Sequence, residues 1–156
     1  MQVYNVDINS YLIEGLKSNK QNHVLNPLGD NIDIFKQIIE NATGYKIRIT
    51  NNWFNRTEYT GVDNSFPWHN EKGLGGSKTN MPGSHAAILW IEGEVDKGGS
   101  LEVVTNDNVE KIEFKPGKLI VFEADTLHKV SHYYGATPRT SLNITYKEVL
   151  DAWARN

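Results

Sequence analysis

The segment Phe66-Pro67-Trp68-His69-Asn70-Glu71 sets an imidazole and a carboxylate two residues apart, and His128 supplies a second imidazole far downstream. Two neutral imidazoles and one carboxylate form a donor set that holds Fe(II) while leaving coordination positions open for other ligands. His69 and Glu71 share a face if their segment is extended, because side chains two apart in a strand point the same way. That spacing alone is common in chains of this size; the downstream context gives it weight. His128 stands in Leu127-His128-Lys129-Val130, after an apolar run that ends at Phe122, a position from which a double sheet can return it to His69. Taken alone, it also reads as a turn histidine or as a core histidine held by hydrogen bonds. Arg139 then opens an alternating run in which it and Ser141 take one face and Leu142 and Ile144 the other. A guanidinium directed inward needs an anionic partner, and a bidentate carboxylate matches its geometry best. The chemistry on offer is a metal with open positions beside a receptor for an organic acid.

Such residues need a stiff frame, and the chain supplies strand after strand. Tyr45, Ile47 and Ile49 alternate with Lys46, Arg48 and Thr50, the period-two pattern of a half-buried strand. Further strands are predicted over residues 53–59, 86–91, 100–105, 109–114, 119–122, 129–133 and 140–146. Turn signals separate them at Gly93, Gly98-Gly99, Asn106-Asp107-Asn108, Pro116-Gly117 and Gly135. Ahead of most of these, Ile32, Phe35, Ile38 and Ile39 keep helical spacing, with Asp30 or Asn31 where a cap belongs and Gly44 where a helix ends. This helix is expected to cover one face of a sheet. Residues 8–16 read as a short helix or an extended arm, 22–29 as a loop around Asn26-Pro27, and 147–155 as a terminal helix with Val149, Leu150 and Trp153 on one side. Many short strands after an N-terminal helix argue for a mostly β fold with flanking helices, a sandwich or a closed double sheet such as a jelly roll. One interval departs from this pattern. Residues 72–84 follow Glu71 directly and include Gly73, Gly75, Gly76 and Gly83 with almost no apolar side chain, which reads either as a lid beside the site or as a long connection.

With 156 residues, 38% of them hydrophobic and 10% aromatic, one domain with a single core is expected over 1–156. A net charge of −3 gives no electrostatic footprint for a polyanion, which demotes nucleic acid as a partner. No cysteine is present, so any metal must be held by His and carboxylate, and disulfides and cysteine nucleophiles drop out. The N-terminus lacks a basic segment followed by an apolar run, and no stretch reaches the roughly 18 apolar residues of a membrane span. A cytoplasmic protein without a membrane partner is expected, in a reducing compartment that suits ferrous iron.

Taken together, Trp68-His69-Asn70-Glu71, Gly98-Gly99-Ser100-Leu101-Glu102-Val103, Pro116-Gly117-Lys118-Leu119-Ile120-Val121-Phe122, Leu127-His128-Lys129-Val130 and Arg139-Thr140-Ser141-Leu142 resemble the Fe(II)/2-oxoglutarate-dependent dioxygenases. Within them the pattern looks most like the prolyl-4-hydroxylase-like branch. The resemblance covers most of the chain and implies a double-stranded β-helix, that is, a jelly roll, with His69, Glu71 and His128 as iron ligands. It implies that Arg139 binds the distal carboxylate of 2-oxoglutarate, with Ser141 as a helper. Tyr59, ten residues before His69, is placed like a tyrosine that contacts the cosubstrate in some members of that branch. The activity implied is hydroxylation of an unactivated C–H with succinate and CO2 as coproducts, using Fe(II), 2-oxoglutarate and O2, with ascorbate as a candidate reductant. A prolyl residue in a peptide or protein is the substrate class the branch favours, and a free amino acid or other small metabolite comes next. Two departures stand out. Glu71 occupies a position where most of the family has Asp, and Trp90 lies in a strand where relatives often carry a tyrosine, so no hydroxyl is offered there.

The remaining histidines have plainer readings. His132 is taken as structural, His85 as a loop residue closing the glycine-rich interval, and His23 as part of a polar loop without partners. Trp53, Phe54, Trp68, Tyr133 and Tyr134 either line a substrate groove or fill the core. Two other functions are open to the same residues. A non-catalytic jelly roll binding a sugar or a partner surface would leave Glu71 and Arg139 facing inward without partners, which is costly. A cupin-type metal enzyme would leave Arg139 without a role.

Overall fold

Eight successive buried residues, Arg139 to Tyr146, begin the strand on which the molecule is built. The computed structural model describes residues 1–8, 16, 23–25, 27–71 and 84–149. Its strands are β1 (Gln2–Asn5), β2 (His23–Leu25), β3 (Lys46–Thr57), β4 (Phe66–His69), β5 (His85–Glu92), β6 (Val95–Gly98), β7 (Leu101–Thr105), β8 (Asn108–Ile112), β9 (Lys118–Glu123), β10 (His128–Val130), β11 (Tyr133–Gly135) and β12 (Arg139–Val149). The helix α1 (Ile32–Thr43) precedes β3. A six-stranded sheet runs in the order β1-β9-β5-β12-β3-β2, a four-stranded sheet in the order β4-β10-β7-β8, and β11 pairs with β6. The three sheets are antiparallel throughout.

Alternation along the strands of the large sheet makes two separate cores. Ala87, Leu89 and Ile91 on β5, Leu119 and Val121 on β9, and Leu142, Ile144 and Tyr146 on β12 face Phe35 and Ile39 of α1. Ala86 and Trp90 on β5 and Ile120 and Phe122 on β9 face the other way, onto Leu101 and Val103 of β7 and Ile112 of β8. The order of layers is helix, large sheet, small sheet. On β12 the inward face carries no apolar residue: Arg139, Ser141, Asn143 and Thr145 are all buried there. A polar stripe in the middle of a sandwich is expensive unless it serves a cavity, and this one does.

The strand pattern read from the sequence holds with shifts that have physical causes. The two strands expected at 45–50 and 53–59 merge into one, β3, which starts at Lys46 and stops at Thr57, because a bulge opposite Thr145 and Tyr146 absorbs the change of phase between Ile49 and Phe54. Residues 129–133 are two strands, since Ser131 and Ser100 bond to each other and interrupt the ladder between β10 and β11. The expected loop at 22–29 contains β2, which pairs with β3 from His23 to Leu25. Residues 147–149 continue β12 along Arg48 to Lys46 instead of starting a helix, and the rest of that expected helix lies outside the described residues. So does most of the expected element at 8–16, and so do residues 72–83 of the glycine-rich interval. The helix α1 ends as expected on Gly44 in the left-handed conformation, φ 81°, but Asn31 makes no side-chain cap and a 3-10 turn, Gly29–Asn31, leads in instead. Among the described residues no helix is long and apolar enough to cross a membrane.

Phe35 is fully buried between α1 and the large sheet. Its replacement by Ala removes a large side chain from a close-packed layer and is expected to destabilise the fold by about 3–5 kcal/mol, measured by urea denaturation.

Candidate metal centre

The small sheet brings the two distant imidazoles together by strand register. In the antiparallel pairing of β4 with β10, His69 lies directly opposite His128, and such cross-strand neighbours project on the same face within contact distance. Their rings are 4.1 Å apart, centre to centre. Glu71 arrives differently from the sequence reading. The strand ends at His69, and Glu71 is turned inward past Asn70 by its own N–H, which donates to the Ala124 carbonyl at 2.9 Å. Its carboxylate then meets both rings, with Oε1 3.0 Å from His128 Nε2 and 3.4 Å from His69 Nε2. One ligand atom from each of the three residues lies within 4.8 Å of the others.

Each imidazole is oriented by its second nitrogen. His69 Nδ1 donates to the Pro67 carbonyl at 2.7 Å and His128 Nδ1 to the Thr126 carbonyl at 2.9 Å. With each Nδ1 spent on a backbone carbonyl, the Nε2 atoms of both rings are left to face the carboxylate, where they are protonated in the metal-free protein and free to bind a metal once that proton leaves. Glu71 Oε2 is buried and has no hydrogen-bond partner among the described residues. Burial works to raise the Glu71 carboxyl, but hydrogen bonds from His128 and His69 outweigh it and hold the group down at about 2. Burial likewise works to lower His69, and the bonds to Glu71 and the Pro67 carbonyl outweigh it, leaving the ring above its ordinary range. Two imidazole nitrogens and an ionised carboxylate with one oxygen unused fit a divalent cation, and the set is the one that suits Fe(II).

The large sheet supplies the facing wall. Arg139, Ser141 and Asn143 of β12 stand beside Thr57, Asn55 and Trp53 of β3, their register partners. Together with Ile88, Val130 and Phe66 they enclose, with the three ligands, a cavity of about 270 Å³. The Arg139 Nε–H donates to the Gly99 carbonyl at 3.0 Å, and its guanidinium carbon lies 4.9 Å from the ring centre of Phe114 and 5.5 Å from that of Trp90. Gly99 has φ +68°, and a Cβ there would come within 2.9 Å of the Tyr133 ring and 3.3 Å of Arg139 Cδ, so only glycine lets the arginine pass. Burial lowers the guanidinium to about 10, with the nearby Tyr133 opposing the shift, and it remains a cation at neutral pH. No carboxylate among the described residues pairs with it.

The other residues singled out in the sequence fall in different places. Ser141 lines the cavity and its hydroxyl accepts from Asn143 Nδ2 at 3.2 Å. Tyr59 does not line the cavity: 46% exposed, beyond the end of β3, it packs on Tyr134 and His132. His132 is held by Asp63 at 3.2 Å, away from the three ligands. His85 is not a loop residue; it opens β5, stacks on Tyr146 and meets Glu148 at 3.6 Å. His23 is not without partners either. Its Nδ1 bonds Asn55 Oδ1 at 2.7 Å, and it stands at the rim of the cavity, where a three-residue edge strand between polar neighbours left no periodic signal. Of the aromatics, Trp53 lines the cavity, Phe54 and Tyr133 are core, and Trp68 is 42% exposed.

No protein-family model matches the sequence, and no curated protein does. Solved structures do match the fold. A prolyl-4-hydroxylase from Pseudomonas putida superposes with a TM-score of 0.64 at 12% identity, over 96% of this chain and 92% of that one. An oxidoreductase of the 2OG-Fe(II) oxygenase family from Burkholderia pseudomallei gives 0.55 at 21% identity; it covers 78% of this chain, which spans 54% of that protein's length. The non-heme α-ketoglutarate-dependent epimerase SnoN from nogalamycin biosynthesis gives 0.61 at 12% identity, over 87% and 70%. What these proteins share with the present chain is architecture: it has the double-stranded β-helix, or jelly-roll, fold of the 2-oxoglutarate–Fe(II) oxygenases.

Proposed function

We propose that the protein is an Fe(II)- and 2-oxoglutarate-dependent dioxygenase that hydroxylates an unactivated C–H. The observation that carries this reading is the pairing, in one cavity, of the His69/Glu71/His128 donor set with a buried arginine that has no acid partner among the described residues. In this reading His69, Glu71 and His128 hold the iron, and the Nδ1 bonds to Pro67 and Thr126 keep the rings turned toward it. Arg139 receives the distal carboxylate of 2-oxoglutarate, a bidentate acid partner that none of the described residues gives the guanidinium. Ser141 lies on the same stripe within reach of that end. When bound, the iron supplies the redox chemistry that couples conversion of 2-oxoglutarate and O2 to succinate and CO2 with insertion of one oxygen atom into the substrate. Trp53, Ile88, Val130 and Phe66 keep bulk water from the reacting centre.

For the substrate we favour a prolyl residue in a peptide or protein. The support is the sequence resemblance to that branch and the near end-to-end match in fold with the Pseudomonas putida prolyl-4-hydroxylase. A free amino acid or other small metabolite is the second reading, favoured by the small cavity and by the fold that SnoN, an epimerase, also uses. Screening proline-containing peptides and free amino acids for stimulated succinate release separates the two.

Three outcomes are expected. Anaerobic protein given Fe(II) and 2-oxoglutarate should develop a visible metal-to-ligand charge-transfer absorption, and Arg139→Ala should weaken the 2-oxoglutarate dependence of that band by about tenfold or more; no band in either protein would count decisively against the assignment. His128→Ala should abolish succinate formation in air, measured by chromatography. Metal binding must displace the proton that Glu71 favours on His69, whose affinity for it is raised in the metal-free protein. Since Glu71 stays ionised down to about 2, apparent metal affinity should fall from pH 8 to pH 6, with protons released on binding, as followed by calorimetry in two buffers of different ionisation heat.

A further inference from the structure

From Glu58 to Trp68 every residue is exposed except Asn64, which is turned in from the surface and lines the cavity. Its amide is spent on main chain. Oδ1 accepts from the Tyr133 N–H at 2.8 Å, while Nδ2 donates to the Tyr133 carbonyl at 3.1 Å and to the Glu58 carbonyl at 3.2 Å. Taking both the N–H and the C=O of one residue is what a hydrogen-bonded pair does in an antiparallel ladder. The side chain therefore continues the pairing of β4 with β10 past its last backbone partners, Phe66 and Val130. Its neighbour Asp63 adds a second tie, to His132 at 3.2 Å.

Both halves of the site meet at this tie. On one side, Asn64 leads into β4, a four-residue edge strand whose ladder with β10 is irregular and whose Pro67 has no N–H to give. Such a strand is weakly held by its own backbone, and the amide of Glu71 on Ala124 pins only its far end. On the other side, Tyr133 forms the floor under the arginine. Its ring is fully buried against Gly99, where an added Cβ would lie 2.9 Å from it, and its hydroxyl meets the carbonyls of Glu94 and Thr137. Gly99 in turn donates its N–H to the His132 carbonyl at 3.0 Å and offers its own carbonyl to the Arg139 Nε–H. We propose that Asn64 is a positioning residue that holds the two halves in place relative to one another. Through β4 it sets His69 opposite His128, and through Tyr133 and Gly99 it sets the guanidinium. Only what the arginine receives rests on the proposed function; the placing of both groups by Asn64 does not. An apolar side chain could fill the same space but would make neither bond to Tyr133.

The test uses the full chain, metal-free and labelled with 15N, as wild type, as Asn64→Ala and, to control for stability alone, as Phe35→Leu in the separate core under α1. Zn(II) affinity by calorimetry reads the histidine half. Solvent exchange of the Arg139 Nε–H reads the arginine half; its signal is assigned by its loss in Arg139→Lys or, if that variant does not fold, by elimination with Arg48→Lys, Arg56→Lys and Arg155→Lys. Asn64→Ala should weaken Zn(II) binding and speed that exchange, each about tenfold, and Phe35→Leu should change neither. If Asn64→Ala does not fold, Asn64→Asp takes its place; it keeps the acceptor for the Tyr133 N–H, loses both donated bonds, and should move both readings the same way by a smaller factor. A wild-type value for either reading in the Asn64 variant, or equal changes in Phe35→Leu, overturns the proposal. Wild-type protein that binds no Zn(II) overturns it together with the proposed function. Wild-type protein that shows the expected Asn64 effects but no charge-transfer band with Fe(II) and 2-oxoglutarate would sink the proposed function and leave Asn64 in its role.

Discussion

The register of one short strand pair governs the site. β4 and β10 meet so that His69 stands opposite His128, and a slip of one residue would turn one imidazole to the other side of the sheet. The pair is pinned from both sides. β10 is also bonded to β7, with His128 opposite Val103, and Phe122 packs its ring 4.7 Å from that of His128. On β4, Phe66 packs against His69 at 4.5 Å. The carboxylate is fixed separately, by the Glu71 amide on Ala124, so the ligand set combines a strand pair with a bend.

The opposite wall solves a different problem, holding charge and polarity in the interior. β12 lies between β3 and β5, and from Arg139 to Tyr146 it is buried on both faces, so that its apolar and polar residues alternate there without reaching solvent. Its polar face is satisfied in part by its own members, as where Asn143 donates to Ser141 and Thr145 pairs with Thr50 at 2.9 Å. Arg139 is the exception, carrying a full charge without an acid partner among the described residues. Buried charges without partners are costly enough that proteins keep them where a ligand will supply the partner.

Much of this was legible in the sequence, and what was not has local causes. The alternation of Lys46 to Thr50 and of Arg139 to Ile144 named strands and faces correctly, because one face of each packs on α1, while Tyr45, counted with the inner face, is exposed and precedes the strand. His69, Glu71 and His128 were legible as a donor set from residue type and context, though the bend that delivers Glu71 was not, since it depends on a carbonyl more than fifty residues away. β4 carried no strand signal because Pro67 breaks the pattern; a proline is tolerated there only because β4 is an edge. β2 was hidden by its length. Tyr59 illustrates the limit of counting along a chain: its offset from His69 matched a family pattern, but β3 ends before it and the ring leaves with the following loop.

The two halves of the cavity belong to different layers. His69 and His128 sit on the small sheet and Arg139 on the large one, and between those layers the described packing is the apolar cluster around Trp90, Leu101 and Phe122. A molecule gripped at one end through the metal ligands and at the other by the guanidinium would act as a crossbar between the leaves of the sandwich. Its binding energy would then be drawn on by the fold as a whole, and the empty protein would be the one whose leaves breathe.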